Sequence, residues 1–565
     1  MIYRAIPLRR VKISIIDVGI ILFLFAFIYG IISTAKDWKE IPTYTLNISL
    51  SPRNLPLYAW FSLLRQFLAY ILSLLFSISY GYIASHNRTL EPVMIALLDI
   101  LQSVPVLSFM PGVILGLIAI FPYGRIGIEL GSIVLIFTGQ VWNMAFSVYG
   151  SMSSLPRDFK EASEIFNLTP FQKFLYVELP YSVIGLVWNS MMSVAGGWFF
   201  LMACEMFTLG KRDFRLPGLG SYLQLAAIEG NTKAILLGLG TMIALIVLID
   251  QLVWRPLTAW AQKFKVELTT RGPVPTSTIL TILQRSTILT TFSEKMNEFI
   301  EKITIKSSRE EQVERRVKSF PILKFILLGA FLIVVGYAST RLMFLISRVP
   351  IYRWGEIIIS DLFTLLRVSV AVVLSIAWTL PLGVFIGMNP KISVVMQPIV
   401  QILASIPATA VFPIILMWLI SLRGGLSIAS ILLMLLGTQW YILFNVIAGA
   451  MSIPADLKEA AEIFQLKGLE RWRRLIIPAV LPYLVTGAIT ATGGAWNASI
   501  VSEYVHFRGK TLMVRGLGAL ISNSADKGDL SLLAASTIMM IITVTLINRF
   551  FWRKLYWIAE EYYSL

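Results

Sequence analysis

Apolar residues along this chain neither alternate nor recur every third or fourth position. They run on in stretches of about 20 residues with almost no charge, the length a helix needs to cross roughly 30 Å of hydrocarbon. Such runs fall near residues 13–33, 58–84, 93–121, 128–150, 183–203 and 234–252, and again near 325–347, 357–388, 392–420, 426–450, 481–501 and 530–547. A membrane strand would alternate outward apolar with inward polar residues, so helices are the predicted spanning element. The pattern predicts an all-α integral membrane protein with about 12 transmembrane helices. A polar stretch separates the two sets, giving a first unit over 1–254, a linker over 255–320 and a second unit over 321–565. Within the linker, Met296, Ile300, Ile303 and Ile305 stand among charges. That pattern suits either a short amphipathic helix on the membrane surface or a solvated connector.

The two units are copies. A shift of 298 residues matches Trp142 with Trp440, Pro156 with Pro454, Glu161 with Glu459, Trp198 with Trp496, Glu205 with Glu503, and Gly218, Gly220 and Gly230 with Gly516, Gly518 and Gly528. Upstream the shift is 302, pairing Arg65 with Arg367, Gly81 with Gly383, Pro105 with Pro407 and Pro111 with Pro413. A register held over so long a stretch marks an internal duplication. Six spans per copy is an even number, so both copies enter the membrane from one side. They form two parallel six-helix repeats about an axis along the membrane normal, with a pathway expected between them. The copies are not identical: Asp99 stands where the second has Gln401.

Composition agrees with a bilayer as solvent: of 565 residues, 56% are hydrophobic and 14% charged. The net charge of +16 is read as a marker of cytoplasmic loops rather than of nucleic-acid binding. Arg4, Arg9, Arg10 and Lys12 precede the first run and about twelve Lys or Arg lie in the linker, which places both termini and the linker on the cytoplasmic side of a plasma membrane. The first run lacks a small-residue cleavage site and is expected to be a retained helix. One cysteine and two histidines offer no disulfide framework and no dedicated metal site.

Two loops then carry the strongest pattern. Residues 151–180 contain LPRDFKEASEIFNLTPFQKFLYVELP, and residues 451–478 read MSIPADLKEAAEIFQLKGLERWRRLIIP. Each reads as helix, turn, helix. Pro156 and Pro454 suit the first helical position, and Asp158 and Asp456 fall where the helix dipole favours a carboxylate. Leu155, Phe159, Ala162 and Phe166 make an apolar stripe, while Asp158, Glu161 and Glu164 share another face. An acidic face would be repelled by anionic lipid, so a protein partner is the better fit.

The Glu-Ala-Ser or Glu-Ala-Ala string, a turn six residues after the Glu, and a later Leu-Pro or Ile-Pro resemble the EAA loop of binding-protein-dependent ABC importer permeases. The frame around it is similar to the nitrate, sulfonate, taurine and bicarbonate branch: Leu-Leu-Arg at Arg65 and Arg367, SVPVLSFMP and SIPATAVFP, and Gly-Gly-Trp or Gly-Ala-Trp-Asn followed by Glu and Gly-Leu-Gly. The resemblance implies a type I importer permease fold, like that of methionine-importer permeases, with two halves fused in one chain. It implies that Asp158, Glu161, Ala162, Glu164 and Phe166, with Asp456, Glu459, Ala460, Glu462 and Phe464, couple to two cytoplasmic ATPase subunits. ATP and magnesium would then belong to those partners, an extracytoplasmic binding protein would deliver a small oxyanion, and this chain would be no enzyme and hold no cofactor. The family's usual turn glycine is Asn167 and Gln465 here, and a left-handed turn suits Gln less than Asn.

Inside the membrane, each charge needs a partner or a wet cavity. Arg65 is expected to pair with Glu205 and Arg367 with Glu503, holding an outer gate, with separate snorkelling as the alternative. On this reading Glu503→Gln leaves assembly intact and alters transport. Pro105 and Pro407, with Pro111 and Pro413, interrupt the third spans and suit a pathway lining. A secondary transporter of the major-facilitator type also has two parallel six-helix halves, but lacks paired EAA loops. A membrane enzyme would need a polar cluster that does not recur here.

Overall fold

A computed structural model of the chain describes residues 48–563, apart from 123, 210–211, 265–276 and most of 292–338. Among the described residues eight helices are long and apolar enough to cross a membrane, or nine when one bent pair counts as a span. The expected first span, part of the seventh, linker residues 300–305 and the Asp99 side chain lie outside the described residues.

The first half runs α1 (Leu55–His86), α2 (Glu91–Ser103), α3 (Val106–Ile120), α4 (Ile126–Ser153), α5 (Arg157–Ile165) and α6 (Leu179–Glu205). A hairpin of β1 (Thr208–Leu209) and β2 (Arg212–Asp213), then α7 (Leu219–Glu229) and α8 (Thr232–Ile249), complete it. The second half repeats this order with α9 (Ile351–Met388), α10 (Pro390–Ser405), α11 (Ala408–Leu419), α12 (Gly425–Met451), α13 (Ala455–Ile463) and α14 (Ile477–Ser502). Its hairpin is β3 (Tyr504–Phe507) with β4 (Lys510–Met513), followed by α15 (Leu517–Lys527) and α16 (Leu530–Ile547). Helical structure continues from α8 to Phe264, beyond the boundary that composition suggests.

The expected third spans are not continuous. α10 and α11 meet at a 77° bend, and α2 and α3 part at Val104–Pro105 in the same way. A proline has no N–H to continue the ladder and forces the residue before it toward extended backbone. Val104 at ψ 123° and Ile406 at ψ 115° show this directly. Each second piece restarts with Pro105 or Pro407 as its N-cap. The turn before the last span is also duplicated. Gly230 and Gly528 end α7 and α15 at φ 67° and 71°, a left-handed conformation only glycine adopts without cost. The side chains of Asn231 and Asp529 then cap α8 and α16 by accepting from Ala234 N and Leu532 N.

The halves pack on each other through reciprocal contacts. α6 lies against α10 and α11, and α14 against α3. Each half's hairpin reaches the short helix of the other, β3 to α7 and β1 to α15. One hydrophobic core therefore runs through both halves, including the fully buried Trp198 and Trp496.

Candidate functional site

The ends of α6 and α14 surround one cavity of about 180 Å³. Its walls are register-equivalent pairs, among them Leu107 with Thr409, Met110 with Phe412 and Met202 with Ile500, so it lies on the pseudo-two-fold axis. Both hairpins are at this end of the molecule, and both loops 151–180 and 451–478 are therefore at the other. Polar groups enter the axial cavity mainly from the second half. Tyr504 Oη donates to Asp526 Oδ2 at 2.6 Å, with His506 Nε2 3.8 Å from the same oxygen. Burial and the Asp526 carboxylate push the Tyr504 phenol up, so it remains a donor at neutral pH. The first-half equivalents of these three are Met206, Ile228 and Thr208.

Both expected ion pairs form. Arg65 Nη1 lies 2.7 Å from Glu205 Oε1, and Arg367 Nη1 lies 2.7 Å from Glu503 Oε1. Each glutamate is fully buried and also faces the start of the following short helix. Gly220 N donates to Glu205 at 2.7 Å, and Ala519 N donates to Glu503 at 3.3 Å. Ser62 and Thr364 bridge in the same manner, each hydroxyl donating to its glutamate and accepting from Leu219 N or Leu517 N. The Gly-Leu-Gly motif follows from this geometry. A Cβ at Gly218 or Gly516 would occupy the space of the glutamate carboxylate, although the backbone there is extended and would accept any residue.

The pairs join elements within one half and brace α7 and α15, which wall the axial cavity. The clusters are also unequal: Arg65 makes a second, two-pronged contact with Glu129, at 2.5 and 2.8 Å, and the equivalent of Glu129 is Ser427. Sequence reasoning missed Glu129 because it recurs in one copy only. Its signal was an acid one turn into an apolar run.

The paired loops fold as expected, with refinements. Pro156 and Pro454 are N-caps, one residue earlier than expected. Asp158, Glu161, Glu164, Asp456, Glu459 and Glu462 are exposed, while Ala162 and Ala460 are half-buried. The apolar stripe does not hold to its end. Leu155 is buried and Phe159 half-buried near Tyr181, but Phe166 is 76% exposed, and so is Ile165. Their equivalents Phe464 and Ile463 are 76% and 78% exposed. The helices end at these phenylalanines, because the next residues, Asn167 and Gln465, adopt φ 48° and 51°. Leu168 N donates to Ser163 O at 3.0 Å and Leu466 N to Ala461 O at 2.9 Å, closing a Schellman turn just after each phenylalanine. Gln465 takes the left-handed geometry despite lacking a glycine's freedom. Gln465→Gly is therefore expected to stabilise the second loop by about 1 kcal/mol. Hydrogen exchange at Phe464 to Leu466 should slow, and unchanged exchange would show the strain is absent.

The loops are anchored differently. Glu178 Oε1 lies 3.0 Å from His86 Nε2 and 3.9 Å from Lys173 Nζ in the first half, where the second packs Met388 and Ile476 apolar against each other's cluster.

Comparison with known proteins bears on this arrangement. The model of the family described as binding-protein-dependent transport system inner membrane component matches residues 73–253 and again 379–551. The chain is 29% identical over 140 residues to a nitrate import permease protein of Leptolyngbya laminosa, covering 25% of this chain and 49% of that protein. It is 26% identical over 167 residues to a nitrate import permease protein of Synechococcus elongatus, covering 30% and 56%. A bicarbonate transport system permease protein of the same species is 28% identical over 137 residues, covering 24% and 46%. These alignments span about half the length of each relative. A secondary transporter and a membrane enzyme are thereby set aside, because the match falls twice, once on each structural repeat. The chain belongs to the family of binding-protein-dependent transport system inner membrane components, with two copies of the permease unit in one polypeptide.

Proposed function

We propose that this chain supplies both halves of the permease of an ABC importer, and that each half docks one ATPase subunit through its exposed loop. The observation that carries this is a pair of projecting apolar tips, Ile165 with Phe166 and Ile463 with Phe464, each beside exposed glutamates at the same end of the molecule. A buried apolar anchor inside a charged rim is how a protein partner is gripped. This end is then cytoplasmic, in keeping with the basic N-terminal segment and linker. The hairpin end would receive solute from an external binding protein. The relatives' names support a small oxyanion such as nitrate, bicarbonate or a sulfonate, and the sequence resemblance adds taurine. ATP binding and hydrolysis on the partners would bias the two halves between inward-facing and outward-facing arrangements around the interface cavities. Units 1–254 and 321–565 would act as the halves, joined by a cytoplasmic linker.

Co-expression with candidate ATPase subunits tests this. Glu161→Lys with Phe166→Asp, combined with Glu459→Lys and Phe464→Asp, should abolish co-purification while the chain still inserts and purifies. Retained binding would overturn the docking assignment. Single-loop variants should each remove one of two bound subunits.

A further inference from the structure

We propose that the pathway holds one substrate site rather than two: the cavity at the first half's helix break binds a small, singly charged oxyanion, and its two-fold mate is closed to it. This rests on the oxyanion reading above. Two cavities flank the axis, one at each break. One, of about 120 Å³, lies between the α2–α3 junction, α4 and α14; the other, of about 70 Å³, lies between the α10–α11 junction, α12 and α6. A single water needs only about 10–15 Å³, so the larger holds a small solute and excludes a bulky one.

Their linings have diverged position by position. Gln102, Thr138, Asn143 and Thr490 line the larger cavity, and the register places Ala404, Leu436, Tyr441 and Met192 at the equivalent points of the smaller. Asn497 and Tyr441 stand where the two cavities adjoin, and the equivalent of Asn497 is Phe199, which fills the apolar side. Every one of these exchanges replaces a hydrogen-bonding group by a hydrocarbon or aromatic one, or shrinks the opening. Drift around a symmetric pathway would scatter such changes over both sides.

The larger cavity has a donor set suited to an anion. It contains the start of α3 at Val104 and Val106, where the helix dipole favours negative charge, beside the amide side chains of Gln102 and Asn143. Asn497 Oδ1 already accepts from Leu107 N at 3.2 Å, tying α14 of one half to that helix start in the other. Trp142 and Trp552, the latter only 8% exposed, line the same cavity. No Lys, Arg, His, Asp or Glu lines either cavity. With neutral donors only, desolvation is not offset by a counter-charge, and its cost rises with the square of the ligand's charge. A monoanion is accepted on these terms and a dianion refused.

The test uses matched cysteines in the full chain in membranes, where the native Cys204 is buried. Val104→Cys and Ile406→Cys are register equivalents, one in each cavity. Labelling by a small methanethiosulfonate reagent is followed with nitrate, bicarbonate, methanesulfonate or sulfate present. The expected result is that the monoanion transported slows labelling of Val104→Cys several-fold, that sulfate does not, and that Ile406→Cys is indifferent to all four. Equal protection of both cysteines overturns the single site and leaves the oxyanion reading standing. Protection of Val104→Cys by an uncharged solute alone overturns the oxyanion reading and leaves the single site standing. Calorimetric titration of nitrate, bicarbonate and methanesulfonate into the purified chain gives a second measurement: Asn143→Tyr should lose binding at least tenfold relative to Tyr441→Asn. Equal affinities, or no protection at either cysteine by an anion the complete transporter imports, would place the site elsewhere.

Discussion

Glu503→Gln is expected to destabilise the protein by about 3–5 kcal/mol, the cost of leaving a buried charge without its partner. Arg367 is 8% exposed and Glu503 is the carboxylate it contacts among the described residues. The same change at Glu129 in the first half should cost only about 1 kcal/mol, because Arg65 keeps Glu205. Glu129 has no counterpart in the second half, where Ser427 stands, and thermal unfolding of the detergent-solubilised chain measures the contrast. Replacing both Arg367 and Glu503 by Met should recover much of the single-variant loss, since a buried pair and a packed apolar pair are similar in free energy. Equal losses for Glu129→Gln and Glu503→Gln would contradict the unequal clusters. Through Arg367 and Ala519 N the Glu503 carboxylate joins α9 to the start of α15, so unfolding is measured beside assembly for this variant.

Gly516→Ala carries the second large effect. Its added methyl would occupy the space of the Glu503 carboxylate, which bonds Arg367, Thr364 and Ala519 N at once. Displacing that group costs about 3 kcal/mol or more by overpacking and by breaking a buried network. Gly112→Ala is the control, since a Cβ there meets nothing within 4 Å. Folded yield and unfolding temperature should fall for Gly516→Ala and remain unchanged for Gly112→Ala. Because Gly516 is extended, at φ −177°, a loss can be assigned to space and not to backbone strain.

The duplication, the helical spans, the ion pairs and the paired loops were all legible in the chain, because each rests on residues that recur at fixed spacing. The loop tips were only half legible. Periodicity put Phe166 on the stripe with Leu155, but a stripe residue is buried only where another element covers it, and Phe166 at the helix end is left exposed. The third spans looked continuous because hydropathy sums over a proline, while the backbone does not pass it; Pro105 and Pro407 break each into two helices.

By itself the sequence determined what local chemistry dictates: which segments prefer lipid, where helices begin, and which residues are copies of which. Tertiary structure decided how copies differ in use. Asn143 and Tyr441 are one register position, but only packing shows that Asn143 lines the larger cavity alone while Tyr441 stands between the two. Glu129 acquires meaning only when α4 brings it to Arg65, 64 positions away along the chain. Burial and charge pairing are properties of neighbours in space, and a repeat read along the chain carries no record of which neighbours each copy meets.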